Sequence, residues 1–262
     1  MSRRVLVVGG ANGIGLAMAT VWAGRDDVER VYVADKSPLA PEHRHEKIES
    51  FLFDVTSSDY SFFDRFTDID TLMVTAGFGR TALFRDVSEQ YIRDSFEVNT
   101  LPLMRLAKRF YHRLESPSTF RMGVMASIAG FMSSPFLAVY GATKAALKIF
   151  IESINVELEK AGTTNRILNV SPGKIRGTRF HDNYTDLARV TPLATEIIRH
   201  LEDGDDLFIP QYDEVFHNVL ERYHADFRAE GRHSYEYKEK GQTPPRSPKG
   251  ESEMGTHSRD KI

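Results

Sequence analysis

Residues Val5–Gly15 of this chain of 262 residues read VLVVGGANGIG and give the clearest indication of its fold. Its first four residues form an apolar run rich in valine, which is typical of a strand buried on both faces. Beyond the glycine-rich turn, apolar residues recur at helical spacing at Ile14, Ala17, Met18 and Val21. A strand, a tight glycine turn and a helix in this order are the context that a dinucleotide-binding motif requires.

The glycine turn has the spacing Gly-x-x-x-Gly-x-Gly rather than the common Gly-x-Gly-x-x-Gly. Glycines let the backbone turn sharply and approach a pyrophosphate, whose charge is stabilised at the positive N-terminus of the helix. The alternative is an ordinary tight turn between a strand and a helix. We predict that the pyrophosphate side of a cofactor lies against Gly9, Asn12, Gly13, Ile14 and Gly15.

A second apolar run, Val31–Ala34, ends at Asp35. A carboxylate at this place accepts hydrogen bonds from adenosine ribose hydroxyls and repels a 2′-phosphate. Lys36 softens that repulsion, but the glycine turn contains Asn12 and no arginine that would hold an additional phosphate. The sequence therefore favours NAD(H) as the cofactor and does not exclude NADP(H).

The third informative feature is Tyr140 followed four residues later by Lys144, with Ser127 thirteen residues before the tyrosine. Side chains four residues apart on a helix point the same way. A neighbouring ammonium favours ionised phenol, so we expect Lys144 and a bound cationic ring together to bring the tyrosine pKa from its usual value of about 10 toward neutrality. Such a phenol gives or takes a proton at physiological pH. A solvent-facing pair is the alternative reading of Tyr-x-x-x-Lys when it stands alone.

With these motifs in order, the chain resembles the single-domain short-chain dehydrogenase/reductases over about residues 3 to 210. In addition to the glycine turn and the Ser127, Tyr140 and Lys144 trio, several positions match the family pattern. They are Asp54, Val55, Ala76, Gly77, Asn99, Pro172, Gly173 and Ile175, with Thr178 close to the position of the family's threonine.

The resemblance implies a role for each of these residues. Tyr140 is expected to be the general acid in reduction and the base in oxidation, and Lys144 to lower its pKa and bind the nicotinamide ribose. Ser127 is expected to hydrogen-bond the reacting oxygen, and Asn99 to hold a water that links Lys144 to solvent. Further cofactor contacts are expected from Asp54, Val55, Ala76, Gly77, Asn99, Tyr140, Lys144, Pro172, Gly173, Ile175 and Thr178.

Two departures from the family pattern are present. The fourth strand ends Val74-Thr75-Ala76-Gly77 instead of Asn-Asn-Ala-Gly, so Thr75 replaces only part of the usual amide hydrogen bonding. After Pro172, Gly177 takes the usual place of a threonine, and Thr178 follows it. We expect these changes to affect cofactor affinity more than chemistry.

Apolar strand-like runs alternate with helical stretches along the chain, which predicts an α/β fold of the Rossmann type, a doubly wound parallel sheet in a single domain. We expect this domain to span residues 1–230, with a substrate lid near 174–190. Residues 36–50 contain Pro38 and Pro41 and resemble a loop more than a full crossover helix, and Leu207–Ile209 is a candidate edge strand. Residues 231–262 are polar and are predicted to form a disordered tail. Truncation after about residue 235 is therefore expected to be harmless.

Composition narrows the class of protein. Hydrophobic residues make up 41% and charged residues 27%, and the formal net charge is −3, so no nucleic-acid footprint is indicated. The chain has no cysteine, which excludes disulfides and thiolate catalysis, and no metal site is predicted. No apolar run approaches the roughly 20 residues of a membrane span, and we expect a cytoplasmic protein. The family resemblance favours a homo-oligomer.

The substrate is expected to be a small carbonyl compound or alcohol. Basic residues near the predicted lid suggest a negatively charged substrate as one possibility. Arg80, Arg176 and Arg179 are candidates for binding a carboxylate or phosphate, whereas solvated surface charge is the alternative and the more common one. Two other functions remain open: a nucleotide-sugar epimerase or dehydratase, and a non-catalytic dinucleotide sensor. The epimerases usually carry a different glycine spacing and a longer substrate domain, and a sensor is expected to lack part of the catalytic set.

Overall fold

The computed structural model describes residues 2–178, 180 and 184–242, and for residues 241 and 242 it describes the backbone only. Within these residues, seven strands form one sheet. The strands are β1 (Arg3–Val8), β2 (Val28–Asp35), β3 (Ile48–Leu52), β4 (Thr71–Val74), β5 (Arg121–Met125), β6 (Ile167–Val170) and β7 (Leu207–Phe208).

The helices of the described residues cover both faces of the sheet. They are α1 (Gly13–Ala23), α2 (Glu89–Asn99), α3 (Leu101–Arg109), α4 (Tyr111–Leu114), α5 (Ala138–Lys160), α6 (Leu187–Asp203), α7 (His217–Ala225) and α8 (Phe227–Gln242). Short 3₁₀ turns lie at Pro41–His43, Ser61–Arg65, Phe84–Asp86 and Ile128–Gly130, and a π-helical turn precedes α7 at Tyr212–Phe216.

All neighbouring strands run parallel, in the order β3-β2-β1-β4-β5-β6-β7. The order reverses direction at β1 and β4, so the chain winds first to one side and then to the other. The carboxyl ends of β1 and β4 therefore lie side by side, which is where ligands bind in doubly wound sheets. This arrangement confirms the predicted Rossmann-type sheet in a single domain.

Residues of β1 illustrate how the sheet supports two cores. Successive side chains of a strand point to opposite faces. Val5 and Val7 pack with α1 and α6 on one face, whereas Leu6 and Val8 pack with α3 and α5 on the other. All four are fully buried. The valine-rich run is thus explained by burial on both faces.

The crossover from β2 to β3 contains only the 3₁₀ turn Pro41–His43, which confirms the prediction of a loop there. Between β3 and β4 an aromatic cluster takes the place of a helix. Phe53 packs against Phe62 and Phe63 with ring centroids 4.9 and 4.7 Å apart. Burial of these rings covers the sheet edge that a crossover helix would otherwise cover.

The C-terminal region differs from the prediction. Helix α8 runs through Gln242, so the predicted boundary at residue 231 falls inside a helix, and residues 231–242 do not form a disordered tail. Composition predicted disorder because most residues of α8 are polar or charged. The remaining part of the predicted tail, residues 243–262, lies outside the described residues. No helix in the described part of the chain is long and apolar enough to cross a membrane.

Candidate active site

The turn between β1 and α1 is packed against the end of β4. Gly9 has φ +89°, and a Cβ at this position would lie 2.5 Å from the backbone nitrogen of Ala76. A side chain at Gly15 would collide with the Gly9 carbonyl oxygen and with Thr75 Oγ1. Only glycine fits at these two positions, because the helix must begin directly against the strand ends. The turn leaves a cradle at the N-terminus of α1.

Thr75 makes hydrogen bonds at the position where the family pattern has an asparagine. Its Oγ1 donates a hydrogen bond of 2.9 Å to the carbonyl oxygen of Gly9, and the Thr75 backbone N–H donates to Val8 at 2.8 Å. These bonds join the end of β4 to the glycine turn. The departure at this position therefore keeps the strand ends connected.

Asp35 and Asp54 lie at the ends of β2 and β3. Asp35 accepts hydrogen bonds from the backbone N–H of Ala11 at 3.0 Å and of Ser37 at 2.9 Å, which fixes its carboxylate beside the glycine turn. Asp54 accepts from the backbone N–H and the hydroxyl of Thr56, and these bonds hold its pKa below the ordinary value. Both carboxylates therefore border the site.

These residues border a cavity of about 430 Å³ at the carboxyl edge of the sheet. Nearly all the residues that the sequence predicts for the cofactor line it, together with Ser127. They are Gly9, Asn12, Gly13, Ile14, Gly15, Asp35, Asp54, Val55, Ala76, Gly77, Tyr140, Pro172, Gly173, Ile175 and Thr178. The cradle and the two acids in this lining fit a dinucleotide.

Ser127 follows β5 and begins the turn Ile128–Gly130. Its Oγ accepts from the Ala129 backbone N–H at 3.2 Å and lies 3.4 Å from the Pro172 carbonyl oxygen. The side chain is 8% exposed. Ser127 is thus held at the junction of β5 and the segment after β6, facing the cavity.

Tyr140 lies in the first turn of α5 and also faces the cavity. Burial raises the pKa of its phenol to about 12, and hydrogen bonding with Ser127 offsets only part of that rise. The shift toward neutrality, which the sequence attributes to Lys144 together with a bound cationic ring, is therefore not produced by the chain alone. The physical reason is that desolvation of the phenolate outweighs every favourable interaction that the protein supplies.

Lys144 lies one turn after Tyr140 and is 3% exposed. Its Nζ donates to the carbonyl oxygen of Met125 at 2.8 Å and lies 5.6 Å from the centroid of the Tyr140 ring. Burial lowers the pKa of Lys144 to about 8. The amine therefore lies over the Tyr140 ring, and the structure brings Ser127, Tyr140 and Lys144 together as the sequence predicts.

Asn99 ends α2 behind the cavity. Its Oδ1 accepts from the Phe78 backbone N–H at 2.8 Å, and its Nδ2 donates to the Phe78 carbonyl oxygen at 2.8 Å and to Thr143 Oγ1 at 3.2 Å. These contacts fix the chain after β4 relative to α5. The side chain of Asn99 therefore braces the site, and its predicted role in holding a water stays a prediction.

Aromatic side chains border the cavity near Tyr140. The Phe180 ring centroid lies 5.4 Å from that of Tyr140, and a Cβ at Gly79 would lie 2.6 Å from the Phe180 ring. Arg176 is exposed. Arg80 is also exposed and lies beside a small cavity that borders Tyr140. Arg179 lies outside the described residues.

Two contacts were not predicted. The backbone N–H of Gly13 donates to Thr185 Oγ1 at 3.0 Å, which brings the chain before α6 onto the glycine turn. The Phe216 ring packs on Gly173, where an added Cβ would lie 2.5 Å from it. No local sequence pattern marks either contact, because both depend on the path of the chain after β6. Thr178 lines the cavity, but its hydroxyl donates to the Ile175 carbonyl oxygen at 3.1 Å.

Comparison with known proteins gives four matches of interest. The model of the short chain dehydrogenase family matches residues 3–187. The 3-oxoacyl-(acyl-carrier-protein) reductase MabA of Mycobacterium avium is 30% identical over 187 residues, which cover 67% of this chain and 68% of the relative.

Solved structures share the fold. A short chain dehydrogenase/reductase from Burkholderia phymatum in complex with NAD has a TM-score of 0.74 at 17% identity, covering 87% of this chain and 95% of that chain. A short chain dehydrogenase from Burkholderia cenocepacia J2315 in complex with NADP has a TM-score of 0.71 at 20% identity, covering 93% and 98%. The sequence matches and the shared fold lead to one conclusion: the chain belongs to the short-chain dehydrogenase/reductase family of oxidoreductases.

Proposed function

We propose that this protein is an NAD(P)-dependent oxidoreductase that interconverts a ketone and a secondary alcohol. The observation that carries the proposal is that Ser127 and Tyr140 face the same cavity as the glycine turn, with the buried Lys144 amine over the Tyr140 ring. A bound nicotinamide dinucleotide supplies the hydride in reduction, accepts it in oxidation, and in its cationic form favours ionised phenol.

The residues of the chain then perform the proton transfer. In reduction, Tyr140 donates its phenolic proton to the carbonyl oxygen as the carbonyl carbon receives the hydride, and the phenolate regains a proton from solvent. Ser127 hydrogen-bonds the same oxygen and stabilises its developing charge. A phenol whose pKa is raised by burial is neutral at pH 7, which suits the acid role in reduction.

For the cofactor, we propose a preference for NAD(H). Asp35 is held by two backbone N–H groups beside the glycine turn, and its negative charge disfavours a 2′-phosphate. Related folds bind NADP in one case and NAD in the other, so the preference rests on Asp35.

For the substrate, we propose a small carbonyl compound whose apolar part contacts the Phe180 side of the cavity. A negative charge on the substrate is supported by the exposed Arg176 and by Arg80, which lies beside the cavity that borders Tyr140. Because a relative is a 3-oxoacyl reductase, 3-oxoacyl thioesters belong in the first set of compounds to be tested.

The experiment is a screen of ketones, 3-oxoacyl thioesters and phosphorylated sugars with NADH and with NADPH, followed by absorbance at the nicotinamide band. Oxidation that requires both carbonyl and protein supports an enzyme. Binding of NADH without oxidation by any carbonyl would support the alternative of a dinucleotide sensor.

A further inference from the structure

The segment 131–137 connects the two catalytic elements. It begins directly after the turn that follows Ser127, and it ends at Leu137, the residue that precedes α5. Tyr140 lies in the first turn of that helix. A displacement of the segment therefore moves the phenol relative to Ser127, and an error of about 1 Å in such a geometry costs about 10²-fold in rate.

Phe136 gives this segment a conformation that needs support. Its φ is +67°, in the left-handed region that non-glycine residues adopt at a cost of about 1–2 kcal/mol. The residue is 8% exposed, and its carbonyl oxygen accepts from the Ala82 backbone N–H at 2.9 Å. A backbone of this kind persists only where its surroundings fix it.

Helix α8 supplies part of that support. The Tyr235 ring lies 4.8 Å from the Phe136 ring. Lys238 Nζ donates to Ser134 Oγ at 2.6 Å and to the Pro135 carbonyl oxygen at 3.0 Å. Residues spaced by three or four share one face of a helix, so Tyr235 and Lys238 form a single contact surface.

The contact of Lys238 is made by a half-buried amine with neutral acceptors. None of the ion pairs found within residues 2–178, 180 and 184–242 involves Lys238. Because no carboxylate compensates for the removal of this amine from water, burial lowers its pKa to about 8. The two hydrogen bonds to the segment are what this position gains.

We propose that α8 fixes the segment 131–137 and thereby sets the position of Tyr140, with Lys238 and Tyr235 as positioning residues. The kinetic part of this inference rests on the proposed function, whereas the structural part does not. The inference also reverses the expectation that truncation after residue 235 is harmless, because such a truncation removes Lys238.

The test compares Lys238→Met with Lys240→Met in the full chain. Lys240 is exposed on the same helix and is the matched control. Hydrogen exchange of the amides in 131–137 is expected to accelerate about tenfold or more in Lys238→Met, since a lost hydrogen bond to a charged group is worth about 1.5–3 kcal/mol. Lys240→Met is expected to match the wild type. Tyr235→Leu serves as a second variant if Lys238→Met fails to fold.

Activity gives the second readout. With a carbonyl substrate, kcat/KM of Lys238→Met is expected to fall about tenfold or more because the phenol is misplaced, while Kd for NADH is unchanged. Unchanged exchange in both Lys238→Met and Tyr235→Leu would overturn the proposal. Faster exchange with unchanged kcat/KM would overturn the positioning role. If the wild type reduces no carbonyl, the proposed function fails, and hydrogen exchange alone decides whether α8 fixes the segment.

Discussion

At the scale of single residues, the site contains two buried titratable groups whose pKa values shift in opposite directions. Burial raises the pKa of Tyr140 to about 12 and lowers that of Lys144 to about 8. In both cases the neutral form is favoured, because the site is dry. The chain by itself therefore presents a neutral phenol beside an amine whose pKa is lowered. This favours proton donation by Tyr140 over proton abstraction.

Lys144 gives a prediction about stability and pH. Its pKa is near 10.5 in the unfolded chain and about 8 in the folded protein. Between these values the unfolded state binds more protons, so the contribution of Lys144 to the free energy of unfolding becomes more favourable as the pH rises from 8 toward 10. Comparison of urea unfolding at pH 7.5 and 9.5 is expected to show a gain of about 1 kcal/mol or more in wild type relative to Lys144→Met. An equal pH dependence in both proteins would show that Lys144 keeps its ordinary pKa.

Asp35 gives a prediction about the cofactor. Replacement by asparagine keeps the size of the side chain and one acceptor but removes the charge that disfavours a 2′-phosphate. The ratio of kcat/KM for NADH to that for NADPH is expected to fall about tenfold or more, as 1.4 kcal/mol of lost discrimination implies. Asp35→Ala is expected to act in the same direction. A wild-type preference for NADPH would contradict the assignment and point to Lys36.

At the scale of elements, the glycine turn could be predicted from the sequence, whereas its hydrogen bond with Thr75 could not. The valine run, the glycine spacing and the helical periodicity after Ile14 are local patterns, and they predicted β1, the turn and α1 correctly. From the sequence, Thr75 was expected to replace only part of the amide hydrogen bonding that is usual in the family. In the structure its hydroxyl donates to the Gly9 carbonyl oxygen. Sequence reasoning recognised the substitution without its new bond, because that bond depends on the packing of two strands that are distant in the chain.

The Thr75 hydroxyl can be tested directly. Thr75→Val is expected to lower the free energy of unfolding by about 1 kcal/mol, because the donor to the Gly9 carbonyl oxygen is lost. Kd for NADH is expected to rise, since the glycine turn is less firmly tied to β4. Thr75→Ser retains the hydroxyl and serves as the control. Identical stability of Thr75→Val and wild type would show that water replaces this bond without cost.

Helix α8 marks the limit of composition as a guide. Tyr235 and Lys238 contact the segment 131–137, and Glu230 bonds to Arg222, on a helix made mostly of polar and charged residues. Polar composition predicted a disordered tail from residue 231, whereas the structure has a helix there. The raised pKa of Tyr140 could not be predicted from the Tyr-x-x-x-Lys pattern for a similar reason, because burial is a property of the whole fold.

At the scale of the whole molecule, the site is assembled from the carboxyl ends of β1 to β6, so it exists only when the sheet is formed. A ligand that binds the folded protein and not the unfolded chain stabilises it by mass action. NADH at 100 times its Kd is expected to add about 2.7 kcal/mol to the free energy of unfolding. Thermal unfolding with matched concentrations of NADH and NADPH checks this, and a larger shift with NADPH would contradict the proposed preference.

The role of Tyr140 as general acid is tested by the turnover of Tyr140→Phe with the best carbonyl substrate from the screen. The variant removes only the oxygen that transfers the proton. We expect kcat to fall by about 10²–10⁴-fold, the usual contribution of a general acid, with Kd for NADH unchanged. A variant that retained more than about a hundredth of the wild-type kcat would contradict the assignment of Tyr140 as the general acid.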